Sequence, residues 1–139
     1  MTYHRTIHLS DTDAAGVVYF SSLLSICHEA YERELQLMGI DLKSLFLNSE
    51  IAIPITHAEI DFYQPLFCGY NLRLDISITN YNNTGFSITY YVISELIPNK
   101  YSAIAQTTHV SIDINNRQRT SLAPSILNWL HKKSENMHK

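Results

Sequence analysis

The sequence predicts an α+β domain, with an antiparallel sheet of about five strands wrapped around one long central helix. Apolar residues recur at three- and four-residue steps through one long stretch, residues 16–38. Four extended stretches rich in β-branched and aromatic residues then follow one another between turn signals. The connections between those stretches are short, so neighbours should pair antiparallel. A single helix covers only one face of such a sheet, so a partner subunit is expected.

The elements follow in order. Tyr3, Arg5, Ile7 and Leu9 alternate with Thr2, His4, Thr6 and His8, as in a half-buried strand. The helical pattern runs from Gly16 to about Met38 and stops at Gly39. Its stripe is Phe20, Leu23, Leu24, Cys27, Ala30, Tyr31 and Leu35. The first half, VVYFSSLLSIC, carries no charge, which predicts burial on most sides. Asp41 should cap a short helix over 41–47. Extended segments are expected over 51–63, 71–81, 85–95 and 102–114, and a short helix from Pro124.

The chain has 139 residues, which suits one domain over 1–139. Hydrophobic residues make up 45% and charged residues 17%, a globular balance. A net charge of −3 argues against nucleic-acid binding through phosphate attraction. Cys27 and Cys68 are too few for a disulfide scaffold and lack paired metal spacing, which points to a reducing compartment. No apolar run approaches a membrane span or a signal peptide's core, so a cytoplasmic protein is expected.

The chemistry centres on HLSDTDAAGVVYF, residues 8–20, where Asp11 and Asp13 precede the uncharged helix. Counted as a calcium loop from Asp11, Gly16 fits, but Ala15 and Ser22 fall where ligands are required. A phosphoryl-transfer motif would need an α/β alternation that is missing. Two readings stand. A carboxylate there can cap the helix or hold the loop. Alternatively, free N–H groups at a helix N-terminus polarise a carbonyl, and the carboxylate attacks it or activates water.

DTDAAGVVYF resembles the D-x-D-x-x-G-x-V-x-[FY] signature of the hotdog-fold, 4-hydroxybenzoyl-CoA thioesterase-like family. CHEAYE (27–32), PITHAEIDFYQPLFCG (54–69) and AQTTHVSI (105–112) are similar to its 1,4-dihydroxy-2-naphthoyl-CoA hydrolases of phylloquinone (vitamin K1) synthesis. The resemblance implies a hotdog fold, an aromatic acyl-CoA substrate and no cofactor or metal. It makes Asp13 the catalytic carboxylate, Gly16 the turn into the helix, and the backbone of Tyr19 and Phe20 the oxyanion site. Asp11 inherits no catalytic role. The resemblance also implies active sites between two subunits whose sheets join edge to edge, in a homodimer or a homotetramer of such dimers. Hydrolysis of 4-hydroxybenzoyl-CoA or a short acyl-CoA, or binding without turnover, are the rival readings.

Other residues carry bland readings beside functional ones. His28 reads as structural, and Cys27 as an inert core thiol rather than a nucleophile. His57, Glu59 and Asp61 share one strand face, expected to be solvated or intersubunit rather than a metal set. His57, Thr107 and His109 are candidates for shaping an aromatic pocket. Arg73, Lys100, Arg117 and Arg119 fall near strand ends or loops, where they could meet a nucleotide or simply be solvated.

Overall fold

The computed structural model describes residues 2–47 and 49–137. Strand β1 (Thr2–Thr6) leads through a 3-10 turn (Leu9–Asp11) to helix α1 (Phe20–Leu37) and a short helix α2 (Leu42–Phe46). Six strands follow: β2 (Ile51–Ala52), β3 (Ile55–Phe62), β4 (Asn71–Tyr81), β5 (Gly85–Ser94), β6 (Ala103–Val110) and β7 (Ile112–Asp113). Helix α3 (Pro124–Met137) closes the chain. Five strands form an antiparallel sheet in the order β1-β4-β5-β6-β3, and β2 pairs with β7. This is the expected α+β architecture.

Contacts cluster into two units. The first holds residues up to Tyr31, 59–76 and 90–105. Here β1 pairs antiparallel with β4, Tyr3 opposite Leu74 and Arg5 opposite Leu72. Strand alternation puts Leu72, Leu74 and Ile76 into the core, with Arg73 and Asp75 half-buried on the other face. Leu23, Ile26, Cys27 and Ala30 of α1 are fully buried, and each large apolar side chain contributes roughly 1.5–3 kcal/mol.

The second unit holds 32–58, 77–89 and the chain from 106 on. Its core packs Leu35, Ile88, Ile126, Trp129 and Leu130. Phe86 stacks flat on His109 at 4.7 Å and meets Trp129 edge-on at 5.7 Å. Glu34 is buried and paired with Lys133 at 2.7 Å. Asp41 caps α2 as expected, accepting from the Lys43 N–H at 3.1 Å.

Several boundaries differ from the sequence expectation, each for a local reason. The helix begins at Phe20, not Gly16. Gly16 turns with φ 80°, and Val17 and Val18 form β-bridges to Phe67 and Thr12. Nor is its first half buried on most sides, because Tyr19 and Phe20 are 48% and 56% exposed. The 51–63 segment splits at Ile53–Pro54, since proline has no N–H for the ladder. The 102–114 segment breaks at Ser111, whose N–H goes instead to Thr84 O at 2.8 Å. Helix α3 is 14 residues long, beyond the short helix expected.

Candidate active site

The loop between β1 and α1 is built on two aspartates with different partners. Asp11 is held by Arg5, whose Nη1 donates to Oδ2 at 2.6 Å and whose Nη2 donates to Oδ1 at 3.3 Å. The same guanidinium grips Glu29 of α1, Nε to Oε1 at 3.0 Å, and Tyr3 donates to that oxygen at 2.9 Å. Asp11 Oδ2 also accepts from the His8 N–H at 2.7 Å, closing the 3-10 turn. The Arg5 hydrogen bonds hold the Asp11 carboxyl below its ordinary range and raise the guanidinium pKa, with Asp11 its largest influence. A carboxylate so engaged is a structural anchor.

Asp13 is exposed, and its Oδ1 accepts only local backbone donors, Ala15 N–H at 2.8 Å and Val17 N–H at 3.2 Å. Its own N–H donates to Val17 O at 2.8 Å, and its carbonyl accepts from Gly16 N–H at 3.0 Å. These two bonds and the left-handed Gly16 therefore pin the carboxylate, with no neutralising cation among the described residues. From the sequence, helix capping or loop-holding is expected of Asp11. The structure gives both aspartates the loop-holding role and has neither side chain cap α1.

Helix α1 starts where Tyr19 N–H donates to Asp11 O at 2.9 Å, and its first helical bond runs from Leu23 N–H to Tyr19 O at 3.1 Å. The N–H groups of Phe20, Ser21 and Ser22 therefore have no intrahelical acceptor and face out of the helix end. Such groups, with the partial positive charge of the terminus, suit an oxyanion. Beside them lies an open cavity of about 410 Å³, walled by Val17, Val18, Phe20, Phe62 and Pro65 together with Tyr63 and Gln64. Val17 is both a wall of this cavity and a donor to Asp13. That shared residue ties the carboxylate to an apolar, aromatic-lined space.

The remaining candidates do not gather there. His57, Glu59 and Asp61 lie exposed along β3. Thr107 and His109 are buried in the second unit and hydrogen-bonded to each other at 2.8 Å, with His109 stacked on Phe86. His28 is exposed and meets Tyr31 edge-on at 5.6 Å. Cys27 is fully buried, and burial pushes its thiol up to about 12, so no thiolate is available at neutral pH. Among the described residues no group of three His, Cys, Asp or Glu side chains is placed to hold a metal ion. No helix among them is long and apolar enough to cross a membrane.

Two residues escaped the sequence reading. Arg5 sits in the inward phase of its strand with Tyr3 and Ile7, and a half-buried arginine there demands an anionic partner. Gln64 carried no such signal, because its place in the cavity wall follows from a loop that only the fold positions.

A five-stranded antiparallel sheet with the long helix α1 is the architecture of the hotdog-fold thioesterases. The chain belongs to the thioesterase-like superfamily, whose family model matches residues 7–130. It is 58% identical over 135 residues to a 1,4-dihydroxy-2-naphthoyl-CoA hydrolase of Crocosphaera subtropica, covering 97% of this chain and 98% of that protein. The enzyme of the same name from Trichodesmium erythraeum is 45% identical, over 92% of this chain and 93% of its own. Among solved structures, a 1,4-dihydroxy-2-naphthoyl-CoA thioesterase from Synechocystis superposes with a TM-score of 0.87 at 35% identity, covering 94% of each chain.

Proposed function

We propose that this protein hydrolyses 1,4-dihydroxy-2-naphthoyl-CoA to 1,4-dihydroxy-2-naphthoate and CoA, a step of phylloquinone synthesis. The observation that carries the reading is Asp13, fixed by Ala15 and Val17 N–H groups beside the free N–H groups of the α1 terminus. The relatives named for this activity match nearly the whole chain, which supports the choice of acyl group.

In this reading the thioester carbonyl oxygen accepts the Phe20 N–H; Tyr19, expected from the sequence to share that role, gives its N–H to Asp11 O at 2.9 Å instead. Asp13 either attacks the carbonyl carbon or takes a proton from the water that attacks it. The C–S bond then breaks, and CoA leaves as the thiol after protonation; on the direct route the acyl group stays on Asp13 as a mixed anhydride, which water then hydrolyses to release the naphthoate and restore the carboxylate. Both routes need the same carboxylate in the same place. Trapping a mixed anhydride on Asp13 during a single turnover separates them, because only direct attack forms it.

The protein acts as a homodimer, joined along β3. That strand lies at the sheet edge with seven of its eight residues exposed, including Ile55 and Phe62 at 42% and 43%. A long exposed edge strand of this kind is a template for a second copy. Pairing would place His57, Glu59 and Asp61 at the junction, and dimers could associate further into a tetramer.

Thiol release from 1,4-dihydroxy-2-naphthoyl-CoA, beside 4-hydroxybenzoyl-, benzoyl- and short-chain acyl-CoA, tests the activity. A strong naphthoyl preference is expected. Tight binding without thiol release would instead identify an acyl-CoA binding module. Light scattering after size exclusion tests the dimer, and a concentration-independent monomer would overturn it.

A further inference from the structure

We infer that Glu29 is a positioning residue for the reaction: acting through Arg5, it sets where the Asp13 carboxylate stands relative to the Phe20 N–H. The inference rests on the proposed thioesterase reading and deepens it. Asp13 belongs to the loop and Phe20 to the helix, yet both must serve one carbonyl group. The carboxylate acts at its carbon, directly or through water, and the N–H acts at its oxygen. Backbone bonds join the two segments at the helix start. Tyr19 N–H donates to Asp11 O at 2.9 Å, Asp13 N–H donates to Val17 O at 2.8 Å, and Thr12 bridges Val18. That joint fixes the loop to one end of α1 and leaves its angle to the helix axis to be set elsewhere.

Glu29 sets that angle. It lies nine positions beyond Phe20, about 13 Å along the helix, so a bond there restrains the angle with a long arm. Arg5 supplies the bond. Its Nε donates to Glu29 Oε1 at 3.0 Å and its Nη2 to Oε2 at 3.2 Å. Toward Asp11, Nη1 donates to Oδ2 at 2.6 Å and Nη2 to Oδ1 at 3.3 Å. A further Nη1 bond goes to Thr6 O at 2.7 Å, so all five guanidinium N–H donors are engaged and its plane is fixed. Tyr3 adds a bond to Glu29 Oε1 at 2.9 Å. Asp11 is thereby held to α1 at two places, at Tyr19 through its carbonyl and at Glu29 through its carboxylate, and Asp13 follows two residues on. Arg5, Asp11 and Glu29 are not walls of the cavity beside Phe20, so they act on the geometry of the site and not on the substrate.

The test measures kcat and KM for 1,4-dihydroxy-2-naphthoyl-CoA in the wild type, Glu29→Ala and Glu29→Gln, at a temperature where circular dichroism shows each protein folded. Glu29→Ala should lower kcat about tenfold or more with KM changed less than about twofold, as misplacement of reacting groups does. Glu29→Gln keeps an oxygen for Arg5 Nε and Tyr3, so it should recover part of the lost kcat. A role confined to stability would lower the melting temperature and leave kcat per folded molecule intact, which would overturn the inference. A rise in KM at unchanged kcat would overturn it too, because that marks a binding residue. Should Glu29→Ala fail to fold, Glu29→Gln decides, and its kcat must then fall below the wild type at unchanged KM. Asp13→Asn in the same assay keeps the two ideas apart. A wild type that releases no thiol, or a fully active Asp13→Asn, overturns the reading on which the inference rests, whereas an unchanged Glu29→Ala overturns the positioning role alone.

Discussion

Arg5 and Asp11 form a two-point ion pair, 2.6 and 3.3 Å, with both side chains less than 15% exposed. Asp13 lies only two positions on, yet bonds to backbone alone. One carboxylate is thus neutralised and the other kept available. The same arginine reaches Glu29, so the loop, β1 and α1 share one anchor within their unit.

Arg5→Met should therefore destabilise the protein by about 2–4 kcal/mol, since it strands two partly buried carboxylates. Denaturant unfolding measures it. Asp11→Asn should cost less, and it should also change the acid limb of stability. Asp11 titrates lower in the folded protein than its ordinary 3.8, so the unfolded chain takes up the proton first. Its contribution is complete above pH 3.8 and is lost as pH falls through the lower folded value. Between those limits the wild type should lose stability more steeply than Asp11→Asn.

Asp13→Asn should lower kcat about 10²–10⁴-fold, the range for loss of a catalytic proton-transfer group. Stability should barely change, because the asparagine carbonyl can still accept the Ala15 and Val17 N–H groups. Kinetics and a melting curve on the same preparation separate the two effects. A variant that keeps full activity would sink the proposed mechanism.

Cys27→Ala should retain kcat. Its thiol is buried and titrates near 12, so it offers no nucleophile. The expected cost is confined to stability, roughly 1–2 kcal/mol for the small cavity left behind. Complete loss of turnover in a folded variant would return the thiol to the mechanism.

Lys133→Met leaves the buried Glu34 carboxylate without its cation, which is 2.7 Å away in the native protein. The single change should cost about 3–5 kcal/mol, and adding Glu34→Leu should recover much of it. The double variant is decisive: without recovery, the lysine contributes by packing its stem rather than by its charge.

Gly85→Ala should harm the fold more than Gly16→Ala. A methyl at Gly85 would lie 2.7 Å from the backbone oxygen of His109, so strand backbone must move. At Gly16 nothing lies within 4 Å, and only the left-handed φ of 80° is penalised, by about 1–2 kcal/mol. Urea unfolding of both variants should rank them in that order.

Local patterning by itself determined the order of elements here, the family signature around Asp13, and the capping of α2 by Asp41. Those features depend on residues a few positions apart, through strand alternation, helical periodicity and short-range side-chain bonds. Tertiary structure decided the rest. Val17 and Val18 were legible as helix, but bridges to Phe67 and Thr12 held them extended and moved the helix start to Phe20. His109 and Thr107 were candidates for shaping an aromatic pocket, and β6 buries both, with His109 stacked on Phe86. The loading of Asp11 by Arg5 likewise comes from a partner the fold supplies. Periodicity tells which side of an element is apolar, whereas what stands opposite that side is set by contacts distant in sequence.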